Sequence, residues 1–416
     1  MDPGALQPID SPNLSGIPMT PLLASPTLFT LECVNCGQQF DQNSVQSCPH
    51  CQGSVLKGRY PLDRSQIPHW LQQLQHRPPT LWRYRELLPV RHPDYITTLG
   101  EGYTPLIPCQ SLGRLGGGCQ TLYLKDERQN PTGSFKDRQA TVAISFLKEQ
   151  GVKSLVLAST GNVGISYAAY ARRAGLDITI FFPAHVPPEK MRETQLYGSR
   201  VIQLDENYDV TKVAAAQYAQ EHGLFLDRGI KGFAGVESMK TMAYEMAEQL
   251  GWKAPDWYIQ GVSGGMGPIG VAQGFEELVN LGLVDKVPAL GLVQAAGCAP
   301  LANAWATHAS QATPCTPNTA ILPLATGDPG IAYHILKNLL DRHGGAITTV
   351  TDEMAFDTVH TVATQEGVSV EPATAVAIAG AINLIQQGVI KPHETVIINC
   401  SGHTYPVTPQ ILHRQW

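Results

Sequence analysis

The chain is poor in charge and has no long apolar run. Charged residues make up 15% of its 416 positions and leave a net charge of −6, which excludes the basic surface that nucleic acid or an acidic membrane would require. Small anionic ligands stay open, because backbone amides at helix starts bind them whatever the global charge. No stretch of about 18 uninterrupted apolar residues occurs, so no transmembrane helix is expected. Residues 1–30 hold no Lys or Arg but six prolines, which argues against a secretory leader or an Arg-rich transit peptide. Their composition reads as a disordered arm over 1–29, with a partner-binding tail as the alternative. Cys109, Cys119, Cys298, Cys315 and Cys400 are scattered without obvious pairing, as in a reducing compartment, and a cytoplasmic location is the expectation.

What is present sorts into segments. An apolar fraction of 43% over this length supports a full core and two or three domains. The remaining four cysteines cluster as Cys33-x2-Cys36 and, eleven residues on, Cys48-x2-Cys51. That spacing suits a four-thiolate knuckle holding structural Zn2+ in a closed tetrahedral shell, a lost site or disulfides being the alternatives. His50 reads as a turn residue. Residues 30–56 contain no Arg, so this ribbon-like module is a poor nucleic-acid surface. Residues 57–121 form a connecting segment in which Trp70, Trp82 and Tyr84 should pack against the body. From Leu122 onward, apolar strands alternate with amphipathic helices, the pattern of parallel sheets covered on both faces. Strands are expected at 154–158, 177–182, 257–260, 347–350 and 394–399, with a helix ended by Gly175 and another starting near Thr351. Residues 122–250 and 251–416 are read as two lobes.

Four junction loops carry the chemistry. Asn130-Pro131-Thr132-Gly133-Ser134-Phe135-Lys136-Asp137-Arg138 places one lysine at the start of an amphipathic segment. Alone it would be a solvated helix-start residue. Ser159-Thr160-Gly161-Asn162 and Gly261-Val262-Ser263-Gly264-Gly265-Met266-Gly267 follow at strand-to-helix junctions, and Ser401-Gly402-His403 closes the last apolar strand. The glycine-rich loop between a strand and a helix aims backbone amides at one point, an anion cradle aided by the helix dipole. No Lys-Ser/Thr follows its glycines, so it is not a nucleoside triphosphate loop. Ser159 and Thr160 also read as an N-cap cluster.

The order and wording of these loops resemble the threonine synthases, a branch of the pyridoxal phosphate (PLP) enzymes of fold type II that also includes cysteine synthase, tryptophan synthase β and serine dehydratase. The resemblance spans roughly residues 95–410 and the Cys module. It implies two open, twisted, mostly parallel sheets with flanking helices facing each other across PLP, with a homodimer as the assembly and an amino acid as the substrate. It assigns Lys136 as the amine that condenses with the cofactor aldehyde and later moves substrate protons. Val262, Ser263, Gly264, Gly265, Met266 and Gly267 become the phosphate cradle, Asn162 the donor to the phenolic oxygen, and Ser401 the partner of the ring nitrogen. Thr104 (within Gly100-Glu101-Gly102-Tyr103-Thr104-Pro105-Leu106), Ser134, Ser159 and Thr160 are implied on the substrate side. Asp137 and Arg138 are given a structural role, and Glu371-Pro372-Ala373-Thr374-Ala375 is read as packing near the ring or capping a helix. The reaction implied is O-phosphohomoserine plus water to threonine plus phosphate, with β-elimination or β-replacement on another substrate as the alternative. Two departures bear on that choice. Gly235 stands where threonine synthases carry a phosphate-binding Arg, leaving Arg228 and Lys231 as displaced cations or solvated loop residues. The glycine-rich loop also looks more like those of cysteine synthase and dehydratases.

Overall fold

The computed structural model describes residues 29–41, 47–115 and 121–404; most of the expected arm, and Cys119, lie outside them. Three sheets organise the chain. A small antiparallel sheet joins Gln39–Phe40, Thr30–Cys33 and Leu56–Arg59. A four-stranded parallel sheet runs in the order Arg200–Gln203, Asp177–Phe182, Ser154–Ala158, Phe225–Leu226. A six-stranded sheet runs Gly345–Val350, Ala289–Ala295, Trp257–Gly261, Thr395–Cys400, Thr121–Asp126, Leu106–Cys109, parallel except for the last pair. This is the α/β architecture of fold type II. Both parallel sheets use near-continuous apolar strands such as Leu155-Val156-Leu157 and Val396-Ile397-Ile398, buried because helices cover both faces.

The sheets do not follow one another along the chain. Thr121–Asp126 lies in the six-stranded sheet beside Thr395–Cys400, with Leu122 opposite Val396, although the whole four-stranded sheet intervenes in sequence. The chain starts the six-stranded sheet, leaves for the four-stranded one and returns. That return brings the early lysine loop alongside the last strand.

Close helix packing holds the lobes in place. The helices Phe233–Gln249 and Met266–Asn280 cross at glycines: a Cβ on Gly270 would fall 2.3 Å from Met239 Cβ, and one on Gly274 2.8 Å from Ala243 Cβ. Beneath this crossing sits a closed ion network. Arg138 donates to Glu127 (2.6 and 2.7 Å) and Glu245 (2.5 and 2.7 Å), and Lys125 donates to Glu245 (2.7 Å), every one of these side chains being fully buried. Two cations and two carboxylates balance, which is what makes their burial tolerable. The network ties the Lys136–Glu149 helix to Phe233–Gln249 and to the large sheet, the structural role expected for Arg138.

The connecting segment packs as its aromatics predict. Trp70, on the helix Ile67–Leu74, is buried beside Tyr84, and Trp82 donates to Glu101 and Thr141. The Cys module docks on the body through Glu237, whose carboxylate accepts from Gly58 N (3.0 Å) and Tyr60 OH (2.6 Å), and through Phe29 stacked on Phe233. Among the described residues no helix is long and apolar enough to cross a membrane.

Candidate active site

Lys136 opens the helix Lys136–Glu149, and its loop is clipped to the last strand. Phe135 N donates to Ser401 O (3.0 Å), His403 N to Gly133 O (3.0 Å), and Ser134 pairs with Gly402 in an isolated bridge. Gly133 takes φ +79°, a left-handed turn that favours glycine. Asp137 folds back onto Thr132, accepting from its amide (2.7 Å) and hydroxyl (2.5 Å); burial pushes its carboxyl up to about 6 against those bonds. The Lys136 ammonium meets the Phe135 ring, 4.1 Å from its centroid, and among the described residues donates to no acceptor. Burial draws its pKa down to about 8, with the charge of Glu371 opposing.

Glu371 is the hub of the site. It precedes the helix Pro372–Gln386, is 6% exposed, and accepts from Ser401 Oγ (2.8 Å) and Asn162 Nδ2 (3.0 Å). Ser401 Oγ also pairs with Thr374 Oγ1 at 2.9 Å. The other end of the Asn162 carboxamide accepts from Lys190 Nζ at 2.8 Å. A cavity of about 400 Å3 opens here, its wall including Thr160, His185, Lys190, Glu371 and His403. Lys190 and the central place of Glu371 were missed in the sequence. The one available cue to Lys190 was a lysine in the first turn of a Pro-started helix, Pro188–Leu196, where the helix dipole disfavours a cation.

In the glycine-rich loop Val262 N is used by Val293 O (2.8 Å), but among the described residues the amides of Ser263, Gly264 and Gly265 donate to no acceptor. Gly265 adopts φ +77° at the start of the helix Met266–Asn280, and a Cβ on Gly264 would meet nothing within 4 Å. Three free amides at a helix start beside open space form an anion cradle, so the residues fit a phosphate ester. Gly267 is needed for packing, since a Cβ there would lie 2.5 Å from Gln260 Nε2. Ser263 Oγ sits 2.5 Å from Thr326 Oγ1, a loop partner that no sequence pattern marked. Gly235 lies against both elements: a Cβ there would lie 3.3 Å from Gln139 Cγ, one turn after Lys136, and 3.6 Å from Met266 Cε.

The remaining expected residues are placed as follows. Ser134 is buried, its hydroxyl under the Lys136 amide (3.4 Å). The Ser159 hydroxyl accepts from Gly161 N (3.0 Å) and Gly164 N (2.8 Å), an internal cap that shapes the loop, while Thr160 reaches the cavity wall. Thr104 stands apart. Its hydroxyl donates to Glu127 (2.7 Å) and its carbonyl accepts from Lys125 (2.7 Å), so it belongs to the buried ion network and is not brought to the Lys136 cluster. Arg228 and Lys231 are exposed around the short turn Gly229–Lys231, outside the lining of the cavity. Nearest that turn is Asp227, which accepts from Tyr167 OH (2.7 Å).

The four clustered cysteines converge. Their sulfurs all lie within 4.8 Å of one another, with 3.6 Å between Cys33 and Cys51 and between Cys36 and Cys48. Gly53 lets the backbone approach, since a Cβ there would meet Cys33 Sγ at 3.1 Å and Cys51 Sγ at 3.2 Å. His50 is exposed, as a turn residue should be. Asn35 Nδ2 donates to Cys51 Sγ at 3.4 Å, and four convergent thiols suit a tetrahedral thiophilic metal.

Comparison with known proteins bears on the same residues. Residues 97–402 match the family described as pyridoxal-phosphate dependent enzyme. A threonine synthase of Methanocaldococcus jannaschii is 34% identical over 373 residues, covering 89% of this chain and 91% of the relative. One from Methanosarcina acetivorans is 33% identical over 379 residues, covering 90% and 92%. Among solved structures, a pyridoxal 5'-phosphate-dependent aspartate racemase superposes with a TM-score of 0.65 at 18% identity, covering 85% of this chain and 99% of that one. Maize serine racemase superposes with a TM-score of 0.64 at 22% identity, covering 85% and 96%. At such identities the superpositions speak for the fold.

Proposed function

The chain belongs to the pyridoxal-phosphate dependent enzyme family, and from that premise we propose that it is a lyase of the threonine synthase type, turning O-phosphohomoserine and water into threonine and phosphate. The observations that carry the reading are an amine at Lys136 drawn down to about 8 and, in the glycine-rich loop, a cradle of unused amides. Relatives named threonine synthase that match over nearly their whole length support the choice of reaction.

In this reading Lys136 would supply the amine for the cofactor aldehyde, the residues from Val262 to Gly267 would hold its phosphate, Asn162 its phenolic oxygen and Ser401 its ring nitrogen. When bound, PLP draws electron density from the bonds at the substrate's Cα. Lys136 takes the proton from that carbon, and a lowered pKa keeps part of the amine free to do so near neutrality. Ser401 offers a hydroxyl where a carboxylate would protonate the ring, which suits elimination and replacement more than transamination. The Asn162 amide begins the helix Asn162–Ala174 and, with Thr160, favours the substrate carboxylate, the Gly161 amide being taken by Ser159 Oγ. Phosphate leaves from Cγ and water adds at Cβ. The Cys33, Cys36, Cys48 and Cys51 cluster is proposed to hold structural zinc, and a homodimer in the cytoplasm completes the reading.

A second reading, β-elimination or β-replacement, is favoured by one observation. At Gly235, where an Arg would hold the substrate phosphate, the Gln139 side chain lies 3.3 Å from the Cβ position, and the nearby Tyr167 hydroxyl is committed to Asp227. The test supplies purified holoenzyme with O-phosphohomoserine, O-phosphoserine, O-acetylserine, serine and threonine, and measures phosphate, threonine and keto acids. Threonine formed from O-phosphohomoserine alone supports the first reading. Keto acid from serine or threonine, without threonine synthesis, moves the chain to the second.

A further inference from the structure

The buried lysines of this protein fall into two kinds. Lys125 donates to Glu245 at 2.7 Å, and Lys240 pairs with Glu237 at 2.7 Å and Glu277 at 2.9 Å. These are structural ion pairs. Lys190 is 9% exposed, yet among the described residues it forms no ion pair, and its ammonium donates to a single neutral acceptor, Asn162 Oδ1. It shares this condition with Lys136, and both feel the charge of Glu371. Glu371 accepts from Ser401 and Asn162, and among the described residues it forms no ion pair with Lys190.

We propose that Lys190 binds an anionic oxygen group of the amino-acid substrate. The inference deepens the reading above and rests on it for the identity of the ligand as an amino acid. An ammonium carries three donors; one fixes it to Asn162, and the side chain lines the 400 Å3 cavity with Thr160, His185 and His403. A buried cation without a carboxylate is costly unless an anion arrives. The helix Pro188–Leu196 adds to the positive potential, since Lys190 lies in its first turn. The lysine stem lies against the Ser159–Asn162 loop, where a Cβ on Gly161 would fall 2.8 Å from Lys190 Cδ. Substrate anion, Lys190 and Asn162 would thus be held in one row, and the carboxamide that Lys190 orients is the one already bonded to Glu371. The anion has two sources of the same chemistry, the α-carboxylate or a phosphate leaving group.

The test compares wild-type holoenzyme with Lys190→Gln and Lys190→Arg by titrating the visible cofactor band with O-phospho-L-serine and with L-serine, and by equilibrium dialysis of radiolabelled inorganic phosphate. Loss of a charge-assisted bond should weaken binding in Lys190→Gln by about tenfold or more, and Lys190→Arg should fall less. A loss shared by both amino acids assigns the α-carboxylate; a loss confined to O-phospho-L-serine assigns the leaving group. Inorganic phosphate separates this inference from the functional reading. If phosphate binds in a Lys190-dependent way while no amino acid perturbs the band, the functional reading fails and the anion site stands. If Lys190→Gln keeps its cofactor band and binds all three probes as the wild type does, or if Lys190→Arg falls as far as Lys190→Gln, the proposal is overturned.

Discussion

Raising the pH should switch on cofactor capture through Lys136, and the structure sets where. An ordinary lysine starts from 10.5, whereas burial brings this one to about 8. At pH 7 the free-amine fraction follows 10 to the power of pH minus pKa, giving roughly one part in ten instead of about one in 3,000, a gain of ~300-fold. Mixing apoprotein with PLP and following the visible band should therefore show a rate that climbs about tenfold per pH unit below 8 and levels off above it. Glu371 raises the pKa, so Glu371→Gln, which removes its charge while keeping its size, should move the inflection to lower pH. Lys136→Ala should yield no band. A rate still rising steeply between pH 9 and 10 would refute the reasoning, because it would mean an amine as basic as one in water. The same shift carries a sign for stability. The folded pKa lies below the unfolded one, so between about pH 8 and 10.5 the unfolded chain holds more protons on this side chain. Its contribution to stability therefore rises with pH across that window and is least favourable below it.

Three other outcomes follow from particular contacts. Arg138→Met strips the shared cation from Glu127 and Glu245 and should cost about 3–5 kcal/mol, read as a lowered midpoint in urea; a loss under about 1 kcal/mol would contradict the network. Gly402→Ala places a methyl 2.8 Å from Glu371 Oε1, so the carboxylate must shift. We expect roughly a hundredfold loss of kcat/KM with cofactor still bound, and unchanged kinetics would show that Glu371 does not order the site. Purified protein should carry one zinc per chain by elemental analysis, and Cys48→Ser should lose it; metal-free wild type purified without chelator would remove zinc from the account.

Much of this architecture was legible before any coordinates. Apolar blocks such as Leu155-Val156-Leu157, short and bounded by turn residues, read as buried strands, and Gly175 does end its helix in the left-handed conformation. The junction loops could be read because each joins a strand end to a helix start, where free amides are a local consequence of sequence. Lys190 could not be read that way. In Pro187-Pro188-Glu189-Lys190 it looks solvated, and its burial depends on a missing Cβ at Gly161, 29 positions earlier. Thr104 failed for the opposite reason. Its motif is short and local, but its hydroxyl answers to Glu127 and Arg138, 23 and 34 positions further along the chain. Fold legibility therefore came from periodicity, whereas site legibility stopped where long-range partners choose which hydroxyl or amine is free.

Ser401 shows how far those partners constrain the chemistry. Its hydroxyl has one proton, and two acceptors compete for it, Glu371 Oε1 at 2.8 Å and Thr374 Oγ1 at 2.9 Å. A carboxylate is the stronger acceptor, so the consistent assignment has Thr374 donating to Ser401 and Ser401 donating to Glu371. In that state Ser401 has a lone pair, not a proton, to offer anything entering the site. To donate to a ring nitrogen it must let go of Glu371, and the carboxylate would then lose one of the two donors that keep it buried. Asn162 is the other donor, and Lys190 holds Asn162 from its far side. Binding at any one of these positions must therefore be felt at the others through Glu371. Among the described residues that carboxyl has these two donors alone, so neither can be given up without leaving a buried oxygen unsatisfied.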